Sequence, residues 1–167
     1  MKPGDYFFVT SKRGRKRIAV IVSANSEYEV CIAVFNAQDI DLIKENAISP
    51  DFVTLTDTAF FAPTRSTKYA RWVIVGKVDI DCKQYYPIYS VKNGGSYVLS
   101  TVPWENSNSV PESIASRFYA RFSLSPAAVE LMVDQLEDGD LHPKLAGAVY
   151  SPDRMGYKAL ALFEQYS

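Results

Sequence analysis

Between Tyr6 and Phe35 three runs rich in β-branched and aromatic residues are separated by two polar stretches. Such runs mark β-strands, whose successive side chains point to opposite faces. Gly4 and Asp5 are turn formers and stand directly before Tyr6, Phe7, Phe8 and Val9, so a first strand is expected from Tyr6. Between Arg17 and Ser23, Ile18, Val20 and Val22 share one face, while Ala19 and Ile21 share the other with Arg17 and Ser23. Apolar on both faces at its middle, this strand is expected at the centre of a sheet. A polar connection over 24–27 leads to Tyr28, Val30, Ile32 and Val34 alternating with Glu29, Cys31, Ala33 and Phe35, the return strand of a hairpin.

The pattern then becomes mixed. Ile40, Leu42 and Ile43 among charged residues predict a short amphipathic helix within 37–47, ended by Ser49 and Pro50. The stretch 51–62, bounded by Pro50 and Pro63, fits one strand or a bent pair. Over 68–81, Trp72 and Ile74 on one face and Val73 and Val75 on the other predict a further core strand, with Gly76 marking a bulge or a close backbone approach. Asn93, Gly94 and Gly95 predict a turn between strands at 87–91 and 96–101. These segments make a sheet of roughly six to eight strands.

After a polar linker at 103–108, Ser109 and Glu112 have the spacing of a capping box opening a short helix through Phe118. Ser125 as N-cap, Pro126 in the first turn, Val129, Met132, Val133 and Leu136 on one face, and Gly139 as the stop predict a second helix. The stretch 148–166 fits helix and strand equally. The fold expected is α+β: a strongly curved antiparallel sheet or SH3-like β-barrel core with helices in the C-terminal third. It should form one domain over 1–167, β-rich to residue 102, helical over 109–139, with a C-terminal segment from 140.

The 167 residues, 47% apolar and 13% aromatic, suffice for one packed core and argue against disorder. The net charge of −1 hides an asymmetry: without the five basic residues at 12–17, 13 Lys and Arg face 19 Asp and Glu, a balance of −6. An acidic body favours a basic protein partner and argues against wrapping by nucleic acid. No apolar run is long enough to cross a bilayer and no signal-peptide pattern opens the chain, so a cytoplasmic location is expected, with Cys31 and Cys82 reduced.

Candidate chemistry is sparse. Lys12, Arg13, Arg15, Lys16 and Arg17 surround Gly14 at a hairpin tip, where they would either contact phosphate or form a solvated loop. Asp79 and Asp81, two apart in the expected strand, would share a face with carboxylates about 6 to 7 Å apart, suited to a cation or a basic partner. Tyr85, Tyr86, Tyr97 and Trp104 lie near turns, where exposed aromatics anchor protein partners and buried ones pack a core. His142, the single histidine, sits in a turn before Pro143 and lacks a local residue to orient it as a base. No GxSxG, GxxxxGK[ST] or GxGxxG segment occurs, and neither catalytic residues, metal site nor cofactor is expected.

KPGDYFFV, IAVIV, EYEVCIAVFN and RWVIVGKVDI, with Trp72 and Gly76 in W-x-x-x-G spacing, resemble the bacterial toxin immunity proteins of the immunity protein 26 type over about residues 2–91. That resemblance implies a non-enzymatic cytosolic antidote that binds a cognate toxin domain, with Asp79, Asp81, Tyr85, Tyr86 and Trp104 as candidate partner contacts. Gly4, Asp5, Arg17 and Ser23 are also similar to the opening of the MazF and PemK barrel ribonucleases, which implies nucleic-acid contact at the basic tip. In place of the Arg-Pro pair of that family stands Arg17-Ile18, and the chain is longer than its barrel.

Overall fold

A computed structural model describes residues 1–24, 28–63, 68 and 70–167. The three opening strand patterns form β1 (Asp5–Thr10), β2 (Lys16–Ala24) and β3 (Glu29–Phe35), paired antiparallel in succession; residues 25–27 of the second connection lie outside the described residues. Next come α1 (Ile40–Lys44), β4 (Phe52–Asp57), β5 (Phe61–Ala62), β6 (Trp72–Val73), β7 (Gly76–Lys77), β8 (Tyr89–Asn93), β9 (Ser96–Thr101) and β10 (Glu105–Val110). The helices α2 (Glu112–Ala115), α3 (Pro126–Asp138) and α4 (Tyr157–Gln165) follow. The architecture is α+β, with a five-stranded sheet ordered β4-β3-β2-β1-β7, a three-stranded antiparallel sheet ordered β10-β9-β8, and a short parallel pair, β5 with β6. Among the described residues β4 and β7 do not pair, so the larger sheet is open rather than a closed barrel.

The two-sided pattern of β2 is used on both faces. Ile18, Val20 and Val22 join Cys31, Ala33 and Phe35 of β3 in one core, closed over by Val78, Tyr85, Tyr89, Val102 and Met155. Ala19 and Ile21 join Val30, Ile32 and Val34 in a second core, covered by Val129, Met132 and Val133 of α3. Each fully buried Val, Ile or Phe among them contributes roughly 1.5–3 kcal/mol of transfer free energy, which fixes the register of the central strands. A third core joins Ile88 and Leu99 of the smaller sheet region to Ala115, Phe118, Ala159 and Phe163.

The expected core strand over 68–81 is instead two two-residue strands, and Tyr69 lies outside the described residues. Trp72 packs in the α3-side core and Val78 in the opposite one, so this segment rounds the β1 edge from one layer to the other. The crossing leaves Val73 and Val75 59% and 51% exposed. Gly76 is a close approach, as expected: an added Cβ would meet the Tyr6 ring at 2.7 Å.

The linker expected at 103–108 largely belongs to β10, a polar edge strand whose Ser107 Oγ accepts the Leu99 N–H at 2.9 Å across a register shift. Ser109 is paired with Val98 in that strand, so α2 starts after Pro111 with no capping box. The α3 signals are used as expected: Ser125 Oγ accepts the Ala128 N–H at 3.2 Å, and Gly139 ends the helix at φ 74°. The ambiguous C-terminal stretch contains a helix, α4. Among the described residues no helix is long and apolar enough to cross a membrane.

Candidate functional site

Asp81 ends the crossing segment and caps a 3-10 turn at Cys82–Tyr85, its Oδ1 accepting the Lys83 N–H at 3.2 Å. The turn sends Tyr85 inward, where it is 2% exposed with its ring edge-on to Phe35 at 5.6 Å. Burial pushes its phenol up to about 12. Tyr85 is therefore a core residue, and the expectation that it contacts a partner is corrected. Tyr86, next in the chain, stays half-buried at the surface, and its carbonyl accepts the Gly156 N–H at 2.8 Å.

That bond seats α4. Gly156 has φ 85°, and a Cβ there would lie 2.3 Å from the Gln84 carbonyl oxygen, so only glycine allows the helix to start so close. Tyr157 then donates its hydroxyl to Asp81 Oδ2, which holds the phenol above its ordinary value. Tyr157, Leu160, Ala161 and Glu164 follow at helical spacing along the face opposite Val102, Pro103 and Glu105 of the β9–β10 turn. Between these walls runs a groove of about 720 Å³, with Val102, Leu160 and Phe163 supplying apolar surface and Lys83, Glu105 and Glu164 supplying charge.

The expected partner residues are only partly brought together. Tyr86 lines the groove and Asp81 joins it through Tyr157. Asp79 is exposed but outside β7, so the same-face strand argument for Asp79 and Asp81 does not hold. Trp104 is 45% exposed, with φ 33° in the sparsely populated left-handed region, and its ring lies over the Arg121 guanidinium instead of lining the groove.

Arg121 links several elements. It pairs with Glu29 of β3, donates from Nη1 to Ser100 Oγ at 3.2 Å and lies 5.6 Å from the Tyr89 ring centroid. The paired side chains are 10% and 17% exposed. Burial holds the Glu29 carboxyl above its ordinary value despite the opposing pull of Arg121, and it lowers that of Arg121 itself. Desolvation thus outweighs attraction at this pair.

The basic tip is not simply solvated. Arg13 pairs with Asp138, Arg15 approaches Asp138, Asp134 and Glu137 at 3.1, 3.4 and 3.5 Å, and Arg17 pairs with Glu137. The C-terminal end of α3 thereby neutralises the three arginines that phosphate would need. Lys12 is exposed, and Lys16 lies 4.0 Å from the Phe8 ring centroid. His142 is exposed, its Nδ1 accepting the Lys144 N–H at 3.1 Å. Among the described residues no group of three or more His, Cys, Asp or Glu side chains could hold a metal ion. Cys31 and Cys82 are buried free thiols.

No family model, curated protein or solved structure matches the chain.

The sequence reasoning missed Lys83, Glu105, Tyr157, Leu160 and Glu164 as groove residues, and Arg121 with Glu29 as the support beneath Trp104. For α4 a signal was present: 157, 160, 161 and 164 repeat at the helical period. The Arg121–Glu29 pair spans 92 positions and has no local signature.

Proposed function

We propose that this chain is a non-enzymatic immunity protein that binds and neutralises a cognate bacterial toxin domain by protein–protein interaction. The observation that carries this reading is the groove beside α4, where exposed or half-exposed tyrosines and an apolar floor meet a rim richer in carboxylates than in cations. Large aromatics framed by polar residues concentrate binding energy, and an acidic rim favours a basic target and speeds its encounter. Trp104, 45% exposed and stacked on Arg121, is a further aromatic candidate outside the groove. In this reading residues 1–167 act as one domain in the cytoplasm, with the larger sheet strongly curved.

The ribonuclease alternative places function at Lys12, Arg13, Arg15, Lys16 and Arg17. Pairing of the three arginines with α3 speaks against it, because phosphate contact would first have to displace those carboxylates.

The test is capture of the purified product of the adjacent gene, which this reading expects to be a toxin. Asp81→Lys with Tyr86→Ala should weaken the complex by about tenfold or more, a typical loss on truncating an interface anchor. A complex of unchanged affinity removes these residues from the interface.

A further inference from the structure

The two walls of the groove each contribute one carboxylate, Glu105 from the start of β10 and Glu164 from the last turn of α4. Neither side chain has a hydrogen-bond or ion-pair partner among the described residues, in contrast to the α3 carboxylates, which are taken up by the arginines. Lys83 is the one cation among the described lining residues, and it is not paired with either glutamate. Beneath this rim, Val102 and Phe163 are buried and Leu160 is half-buried, giving an apolar floor.

An apolar floor under unpaired carboxylates has the chemistry of a long cationic side chain in reverse. The methylene stem of lysine or arginine lies against apolar surface while its head reaches an acidic rim. An acidic or purely aliphatic segment would leave both glutamates without a countercharge. The volume of about 720 Å³ lies within the range of pockets enclosing drug-sized molecules, so it holds several adjoining side chains rather than one.

We propose that the groove receives an extended segment of the partner protein in which a lysine or arginine adjoins an apolar residue, and that Glu105 and Glu164 set the preference for the cation. This rests on the reading of the chain as a toxin-binding protein, with the toxin domain supplying the segment. Glu105 and Glu164 are exposed, so replacing them with glutamine leaves the packed core untouched.

The experiment is an NMR titration of the ¹⁵N-labelled full chain with two blocked tetrapeptides, Leu-Lys-Leu-Lys and Leu-Glu-Leu-Glu. The lysine peptide should shift the amides of Glu105, Leu160 and Glu164, bind at least tenfold more tightly than the glutamate peptide, and lose about tenfold in Glu105→Gln/Glu164→Gln. Equal binding of both peptides, shifts confined to another surface, or unchanged affinity in the double variant overturns the proposal. The same variant separates this proposal from the reading beneath it. If it captures the adjacent-gene product as tightly as wild type, the slot is overturned and the toxin-binding reading stands. If wild type binds the lysine peptide in the groove but forms no complex with that product, the slot stands and the toxin-binding reading falls.

Discussion

Replacing Arg121 with methionine removes the guanidinium that pairs with the largely buried Glu29. The Glu29 side chain is 17% exposed, and Arg121 is its ion-pair partner at a position where burial already holds the carboxyl above its ordinary value. Breaking a buried pair from one side costs about 3–5 kcal/mol, and residual exposure of both groups places this one at the lower end, about 3 kcal/mol. With a urea m-value of about 2–3 kcal/mol/M, the Arg121→Met midpoint should fall by about 1–1.5 M. Glu29→Gln/Arg121→Met removes both charges together, so it should recover to within about 1 kcal/mol of wild type. Urea denaturation of wild type, both single variants and the double variant forms a complete cycle, and neighbouring residues of this kind couple strongly. If the double variant is as unstable as Arg121→Met, the cost lies in lost packing against Trp104 and Tyr89, and the ion-pair reasoning is refuted.

Three further outcomes follow from the structure. Because burial raises the folded-state pKa of Glu29 above its unfolded value, its contribution to stability is full below about pH 4.5 and is lost as pH rises through the folded value. The stability difference between wild type and Glu29→Gln should therefore grow in favour of wild type as pH falls from neutral toward 4.5, and a difference that is flat or grows with rising pH contradicts that sign. Gly156→Ala should destabilise the fold by more than about 2 kcal/mol and lower the helical circular dichroism, since it adds a backbone clash to an unfavourable φ; a loss below 1 kcal/mol would mean α4 is not seated through this contact. Wild type should leave single-stranded RNA intact on a denaturing gel, whereas cleavage that disappears in Arg17→Ala would move the function to the basic tip.

What the sequence made legible was local or periodic. The two apolar faces of β2 predicted its central place because a strand buried on both sides must carry apolar residues on both. The limits of α3 were readable because Ser125 and Gly139 act on their own backbone neighbours. The segment at 68–81 misled because Val73 and Val75 look like core residues, yet the chain there turns around a sheet edge and leaves them in solvent. β10 was hidden by its composition: a polar edge strand lacks the alternation that marks a half-buried one. The groove was least legible, since it depends on Asp81 meeting Tyr157 and on residues 102–105 facing α4, which no local window contains. The neutralised arginine tip follows the same logic, its partners lying about 120 positions away on α3.

The most direct test of the central claim is a growth titration in which the product of the adjacent gene is expressed at a fixed level and this chain at increasing levels, with complex stoichiometry measured on the purified pair. The account predicts that growth returns as the chain reaches equimolar amount, with one complex of defined stoichiometry that weakens in Asp81→Lys/Tyr86→Ala. Absence of any complex, with growth arrested by this chain expressed alone, would contradict it.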